Sequence, residues 1–192
     1  MKIFRALGEW VFYGIAVAVL SALVHFVVVL AIPLVATRDA YSSLSDLATP
    51  GQTVALPRAT PGVRRFPFLD PAVATAFCRY DLSNGPVRVR APLGRAGLTS
   101  ISLHTRRGAV FYALTDRAAT RGVLEAVIVT TAQLRALVAA DDEDNPSQDL
   151  RIVSPTVDGY AFRRVFSELP SLYDAAEEEA KTLACIAETP PK

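Results

Sequence analysis

Tyr80-Asp81-Leu82-Ser83-Asn84-Gly85-Pro86-Val87-Arg88-Val89-Arg90 reads as strand, turn, strand. Ser, Asn, Gly and Pro in succession favour a turn, glycine by tolerating positive φ and proline by presetting its own. The Val-Arg-Val-Arg that follows alternates strictly, so the valines share one face and the arginines the other, as in a strand with one buried side. Arg88 and Arg90 are therefore expected to face water. Outward from this stretch lie further β-prone runs at 98–104, 110–115 and 123–131, separated by short segments such as Arg106-Arg107-Gly108, and the spacing predicts antiparallel hairpins in a meander. Residues 150–153 and 160–166 read as two more strands. Thr131 is a candidate cap for a helix over 132–140, closed by the acidic run Asp141–Asp144 and by Asn145-Pro146. On the other side, Asp70-Pro71 has the form of an N-cap followed by Pro at the first helical position, which predicts a short helix through about Cys78. A last helix is predicted from Leu172 to about Ala187, with Leu172, Ala176, Ala180, Leu183 and Ala187 on one stripe against the sheet. The expected fold class over residues 66–192 is α+β, an antiparallel sheet covered by a C-terminal helix.

Upstream, residues 37–65 carry Pro50, Pro57 and Pro61 among Ser, Thr and Gly, with no sustained apolar period, and read as an extended tether. Before the tether, Trp10 to Ala36 contains no charged residue, more than the roughly 20 apolar residues that span a bilayer core. A cleavable signal peptide has a shorter apolar core, about 7–15 residues, and a small-x-small site, for which Leu34-Val35-Ala36 is a poor candidate. An uncleaved signal-anchor transmembrane helix is the better reading. Lys2, Arg5 and the amino terminus outweigh Glu9, so residues 1–9 belong in the cytoplasm and the rest outside it, although Arg38 opposes this bias. Gly14, Ala18 and Ala22 recur every four residues, with Ser21 and His25 at the border, and form a smooth face on which a second helix could pack. The plainer reading is a lipid-facing anchor. His25 reads as a neutral imidazole bonded to a partner helix, since ionisable groups in bilayers are seldom idle.

The chain has 192 residues, 51% of them hydrophobic, and a formal charge of +1, with a mean hydropathy of +0.29. It is too apolar for a disordered tail and too balanced for a nonspecific nucleic-acid binder. Total charge conceals an asymmetry: Arg38 to Arg121 holds twelve arginines against five acidic residues, and the chain beyond Arg121 six basic against thirteen acidic. Either the halves neutralise each other inside one fold, or the arginine-rich half meets anionic lipid headgroups or an acidic partner. The candidates for such contact are Arg64, Arg65, Arg88, Arg90, Arg106 and Arg107.

Residues with catalytic potential are few. His25 belongs to the membrane, which leaves His104 for any Ser-His device. Ser102 and His104 share a strand face by parity, but a flat strand is not a nucleophile elbow, and His104 reads as an ordinary surface histidine. The run Asp141–Asp144 lacks the glycine and terminal Glu of a calcium loop and reads as solvated. Pro92-Leu93-Gly94-Arg95-Ala96-Gly97 lacks the lysine and following helix of a phosphate loop, and no Cys/His spacing suggests zinc. No catalytic residue, metal or cofactor is assigned. Cys78 and Cys185 both lie outside the membrane in this topology, where paired cysteines oxidise, and are expected to form one disulfide. Helical phase stands against it: Cys185 falls opposite the Leu172–Ala176–Leu183 stripe, so the bond requires the last helix to end early or to be covered on both sides. A bond to another chain and two free thiols are the alternatives.

The run Phe77-Cys78-Arg79-Tyr80-Asp81-Leu82-Ser83-Asn84-Gly85-Pro86-Val87-Arg88-Val89, followed by Leu150 to Pro155 and by Gly159 to Arg163, resembles the short, membrane-anchored branch of domain-of-unknown-function family 1254, uncharacterised proteins of bacterial envelopes. The resemblance covers roughly residues 66–187 and carries no catalytic residues. Larger relatives join this domain to a second one, family 1214, which implies that here the second domain comes from another polypeptide. The expected function is a non-catalytic single-pass protein of the bacterial inner membrane, its outer domain periplasmic and assembled with a second envelope protein, with the lipid bilayer as its other partner and no nucleic acid. The alternative is an envelope enzyme acting on lipid or cell-wall glycan, with carboxylates such as Asp70, Asp81 or Asp158 as acid and base.

Overall fold

Lys2–Val35 form one helix, α1, in the computed structural model, which describes residues 2–35, 40–60, 66, 69–141 and 147–189. Its segment Trp10–Ile32 is long and apolar enough to cross a membrane, and no part of it is buried within the chain. A helix apolar all round is compatible with a membrane anchor. The chain divides into two units, Met1–Asp39 and Ala40–Lys192.

The second unit is an α+β domain with helices α2 (Ala40–Ser45), α3 (Thr131–Ala140) and α4 (Tyr173–Lys181). Its strands are β1 (Thr53–Ala55), β2 (Val73–Asp81), β3 (Val87–Pro92), β4 (Thr99–Thr105), β5 (Val110–Thr115), β6 (Val123–Val129), β7 (Arg151–Val153), β8 (Asp158–Phe166) and β9 (Ala184–Ala187). They form a five-stranded sheet in the order β1-β2-β8-β4-β5 and a four-stranded sheet in the order β7-β6-β3-β9. All pairings are antiparallel except β6 with β7. The main core lies between the sheets, where Tyr80, Ile101 and Leu103 meet Val89, Leu124 and Ile128. Beside it α4 packs Tyr173, Ala176 and Ala180 on Ala74, Ala76 and Val165. On the opposite face of the larger sheet, Tyr41, Leu44, Ala48 and Leu56 cover Phe77 and Tyr160.

The meander is corrected to a two-sheet topology. The Ser83–Pro86 turn is a corner between β2 and β3, which belong to different sheets, and β8 inserts between β2 and β4. Turn chemistry specifies a reversal but not which sheet receives the next strand.

The predicted helix from Asp70 to Cys78 is also overturned. Asp70 Oδ1 accepts from the Ala72 N–H at 2.8 Å and the Asp70 carbonyl from the Val73 N–H at 3.1 Å, closing a turn from which β2 departs. β2 is an interior strand covered on both faces, and its apolar residues fall on both parities, Ala74, Ala76 and Cys78 on one and Val73 and Phe77 on the other, which blurs the alternation that marks a half-buried strand.

The tether is shorter than predicted: α2, β1 and the residues around them belong to the domain, with Tyr41, Leu44, Ala48 and Leu56 buried. The segment lacks a period because its contacts are dictated by the sheet beneath it, not by an amphipathic element of its own.

The last helix ends at Lys181, and Ala184–Ala187 pair with β3 as β9. Cys185 thereby leaves the polar face of a helix for the inside of a strand and bonds Cys78 across the two sheets, with Cα atoms 6.2 Å apart and a sequence separation of 107. The α3 cap is Thr130, one residue before the candidate Thr131, in a reciprocal box with Gln133.

Candidate functional site

Strand register builds the open face of the larger sheet in rows. Thr75, Arg164 and Ser100 stand side by side on β2, β8 and β4, then Phe77, Phe162 and Ser102, then Arg79, Tyr160 and His104. The 40–56 segment covers the β2 side, held by Arg79, whose guanidinium donates to the Ala48 carbonyl at 3.0 Å and to the Tyr41 hydroxyl at 2.8 Å. A cleft of about 460 Å³ remains between this cover and the sheet, walled by Leu44, Leu56, Leu69, His104, Phe162 and Arg164, among others.

His104 is buried, which corrects the expectation of a surface histidine; β4 lies inside the sheet and both its faces are covered. Its ring stacks on Tyr160 at 5.2 Å and meets the Phe162 edge at 5.1 Å. Nδ1 lies 3.2 Å from the Gly108 carbonyl and Nε2 lies 2.9 Å from Ser102 Oγ. A carbonyl only accepts, so Nδ1 carries the proton and Nε2 accepts from the Ser102 hydroxyl. Arg164 Nη1 donates to the same Ser102 oxygen at 2.9 Å. Burial, aided by the Arg164 charge and opposed by the Gly108 bond, holds the His104 pKa below its ordinary value. The serine proton is thus directed at a neutral imidazole, while its oxygen is held by a guanidinium under a nearly closed surface. Ser102, His104 and Arg164 form one hydrogen-bonded network on the open face of β4 and β8.

Among the described residues β5 is an unpaired edge of the same sheet, six residues without charge or proline, with Val110, Tyr112, Ala113 and Thr115 exposed. Such an edge offers unpaired backbone groups to another strand. Arg107 and Arg117 flank it, exposed and without an ionic partner among the described residues.

The other predicted residues are scattered. Arg88, expected in water, is half-buried among Glu125 at 2.7 Å, Asp149 at 2.9 Å and Glu188, chiefly Asp149 holding its pKa above the ordinary value. Arg90 lies 3.8 Å from Glu125 and Arg106 3.0 Å from Asp158. Much of the charge asymmetry is thus resolved internally, arginines of the first half meeting acids of the second. Arg64 and Arg65 lie outside the described residues. Along α1, Gly14, Ala18, Ser21, Ala22 and His25 are all exposed. From the acidic run, Asp141 forms a paired contact with Arg151 at 2.6 and 2.7 Å, and Asp142–Asp144 lie outside the described residues. Asp70 and Asp81 each accept from a backbone N–H two residues on, and Asp158 pairs with Arg106, so these three carboxylates serve turns and an ion pair.

The glycine-rich 92–97 loop holds a side chain instead of a phosphate. Arg163, 0% exposed, binds Glu179 at 2.9 Å, the Pro92 carbonyl at 2.6 Å and Thr182 Oγ1 at 2.6 Å. The Glu179 carboxylate accepts in addition from Thr99 Oγ1 at 2.9 Å and the Ala96 N–H at 3.2 Å. A Cβ at Gly94 would strike that carboxylate, and one at Gly97 the Phe166 carbonyl. Sequence reasoning missed Arg163, Glu179 and Arg164; the loop glycines were the only trace of the buried pair. In the Arg79-Tyr80-Asp81 motif, the Tyr80 hydroxyl donates to the His104 carbonyl at 3.0 Å and meets Ser154 Oγ at 3.1 Å, and burial pushes its pKa up to about 12.

No family model and no curated protein match the chain. Among solved structures, the VPA0106 protein from Vibrio parahaemolyticus is similar at a TM-score of 0.53 and 10% identity, over 79% of this chain and 35% of that one. An uncharacterised protein from Burkholderia cenocepacia is similar at 0.45 and 12%, over 79% of this chain and 42% of that one. The chain thus spans less than half the length of either. The Vibrio likeness is one of fold, at an identity that carries no residue roles.

Proposed function

We propose that this chain is a single-pass protein of a bacterial inner membrane, with its N-terminus in the cytoplasm and its α+β domain in the periplasm. The domain assembles, without catalysis, with a second envelope protein, one carrying a family 1214 domain of the kind that its resemblance to family 1254 implies. The observation that carries the anchor is Trp10–Ile32, apolar throughout with none of its length buried in the chain; a bilayer supplies the surrounding it lacks. The Cys78–Cys185 bond fits an oxidising compartment. The open β5 edge, with Arg107 and Arg117 beside it, suits pairing with a strand flanked by acidic residues. The alternative, an enzyme acting on lipid or glycan, draws less support: Asp70, Asp81 and Asp158 serve turns and an ion pair, and Ser102, 7% exposed, donates to His104 Nε2 and accepts from Arg164.

Purification of the tagged full chain in mild detergent tests this reading. A stoichiometric protein partner is expected, lost when Val110→Lys and Tyr112→Lys place charges on the β5 edge. A copurifying glycan or lipid without a protein partner would favour the enzyme.

A further inference from the structure

Arg164 differs from the ion-paired guanidiniums of the domain, and from Arg79, whose bonds to the Ala48 carbonyl and the Tyr41 hydroxyl hold the 40–56 cover to the sheet. Arg88, Arg106, Arg151 and Arg163 each meet a carboxylate. Among the described residues Arg164 meets none: its bond goes from Nη1 to the neutral Ser102 hydroxyl, and its Cζ lies over the Phe162 ring, 5.4 Å from the centroid. One of its five N–H donors is therefore used. Burial pushes its pKa down, with no acid nearby to raise it. The adjacent His104 is neutral and has both ring nitrogens occupied, so it adds neither charge nor a free donor to the cleft. Among the described residues, the cleft wall contains this one cation, no Asp or Glu, and an apolar interior of Leu44, Leu56, Leu69 and Phe162.

We infer that the cleft binds a small monocarboxylate with an apolar body, its carboxylate on the Arg164 guanidinium and its body against Phe162, Leu44, Leu56 and Leu69. The planar fork of a guanidinium matches a carboxylate in two parallel hydrogen bonds, and a low-dielectric flank strengthens them. A single cation neutralises one negative charge; a phosphate monoester, closer to two at neutral pH, would leave the second without a partner beside aromatic walls. About 460 Å³ falls in the range of small-ligand sites and not of macromolecular surfaces. Arg164 is exposed on its outer side, which leaves the charged end of the cleft open to entry from water. The inference is independent of the β5 edge and of any protein partner.

Octanoate is a suitable probe, a soluble monocarboxylate with an apolar body. Equilibrium dialysis of labelled octanoate against the full chain in lipid nanodiscs, with empty nanodiscs as the blank, is expected to show saturable binding at one molecule per chain. Because hydrogen bonds to charged groups dominate such recognition, Arg164→Gln should weaken it about tenfold or more while the thermal midpoint of the domain stays unchanged. Octanol and octyl phosphate, tested on the unaltered chain, should each bind at least about tenfold more weakly than octanoate. Octanol binding as tightly as octanoate, a preference for octyl phosphate, unaltered affinity in a folded Arg164→Gln chain, or no saturable excess over empty nanodiscs would each overturn the inference.

Discussion

Glu179 joins three parts of the chain through one carboxylate: Arg163 on β8, Thr99 at the start of β4, and the Ala96 N–H in the glycine-rich loop. Removing one member of a buried ion pair leaves the other charge desolvated without compensation, so Glu179→Ala should cost about 3–5 kcal/mol, read from the urea midpoint. Replacing both members with apolar residues of similar volume, as in Arg163→Met with Glu179→Leu, should cost much less, because no orphaned charge remains. His104 makes a prediction in pH. Its folded pKa is below the ordinary 6.5 because burial disfavours the imidazolium. At pH above 6.5 the ring is neutral in both folded and unfolded chains and its contribution is complete. As pH falls below 6.5 the unfolded chain takes up the proton first, and stability declines until the folded pKa is passed. The thermal midpoint should therefore fall on acidification just below pH 6.5, and His104→Gln should flatten that slope; an unchanged slope would assign it to another group.

Two elements owe their form to contacts far away in sequence. β9 follows α4 after one turn because Ala184–Ala187 find the edge of β3, which places Cys185 beside Cys78. In the chain-entropy description a loop of about 100 residues stabilises by about 4.7 kcal/mol, so Cys78→Ala with Cys185→Ala should lower the unfolding free energy by about 2–5 kcal/mol. Peptide mapping of the chain with thiols blocked at lysis should recover the two cysteines in one bridged species; alkylation of both without reduction would contradict it. α2 is the second case. Leu44 is buried against the sheet, 4% exposed, and Leu44→Ala should cost about 2–5 kcal/mol by loss of burial and formation of a cavity. A solvated tether would lose almost nothing, so chemical denaturation of this one variant distinguishes the two descriptions.

For the whole molecule the decisive measurement is topology. A reporter enzyme active only outside the cytoplasm, fused after Lys192, should be active, since Lys2 and Arg5 bias the short end inward; activity of a cytoplasmic reporter alone at that site would reverse the orientation. Along α1, Gly14 has nothing within 4 Å of the place a Cβ would take, so within this chain the position tolerates bulk. If a second helix packs there, Gly14→Leu or Ala18→Leu should reduce partner recovery several-fold and leave membrane insertion intact. Recovery unaffected by both substitutions would leave α1 a passive, lipid-facing span.

The amino-acid sequence by itself determined the features that depend on local pattern: the uncharged Trp10–Ile32 helix, the α+β class, and the strands β3 to β8 with alternation or short β-prone runs bounded by turns. Each is written in neighbouring residues, through period, length and turn chemistry. It also placed Ser102 and His104 on one face by parity alone. Only the tertiary structure decided the rest. All of β2 before its end at Tyr80–Asp81 was illegible because burial on both faces blurs the period of two; α2 and β1 were illegible because the surface they cover is built from residues downstream. The switch from α4 to β9, which lets Cys185 reach Cys78, depends on an edge of β3 nearly a hundred residues away. The Arg163–Glu179 pair and the uncompensated Arg164 could not be distinguished in sequence, where two adjacent arginines look alike. Strand parity sends one inward to a carboxylate and the other outward to an open cleft, and what each meets there is set by the packing of distant segments.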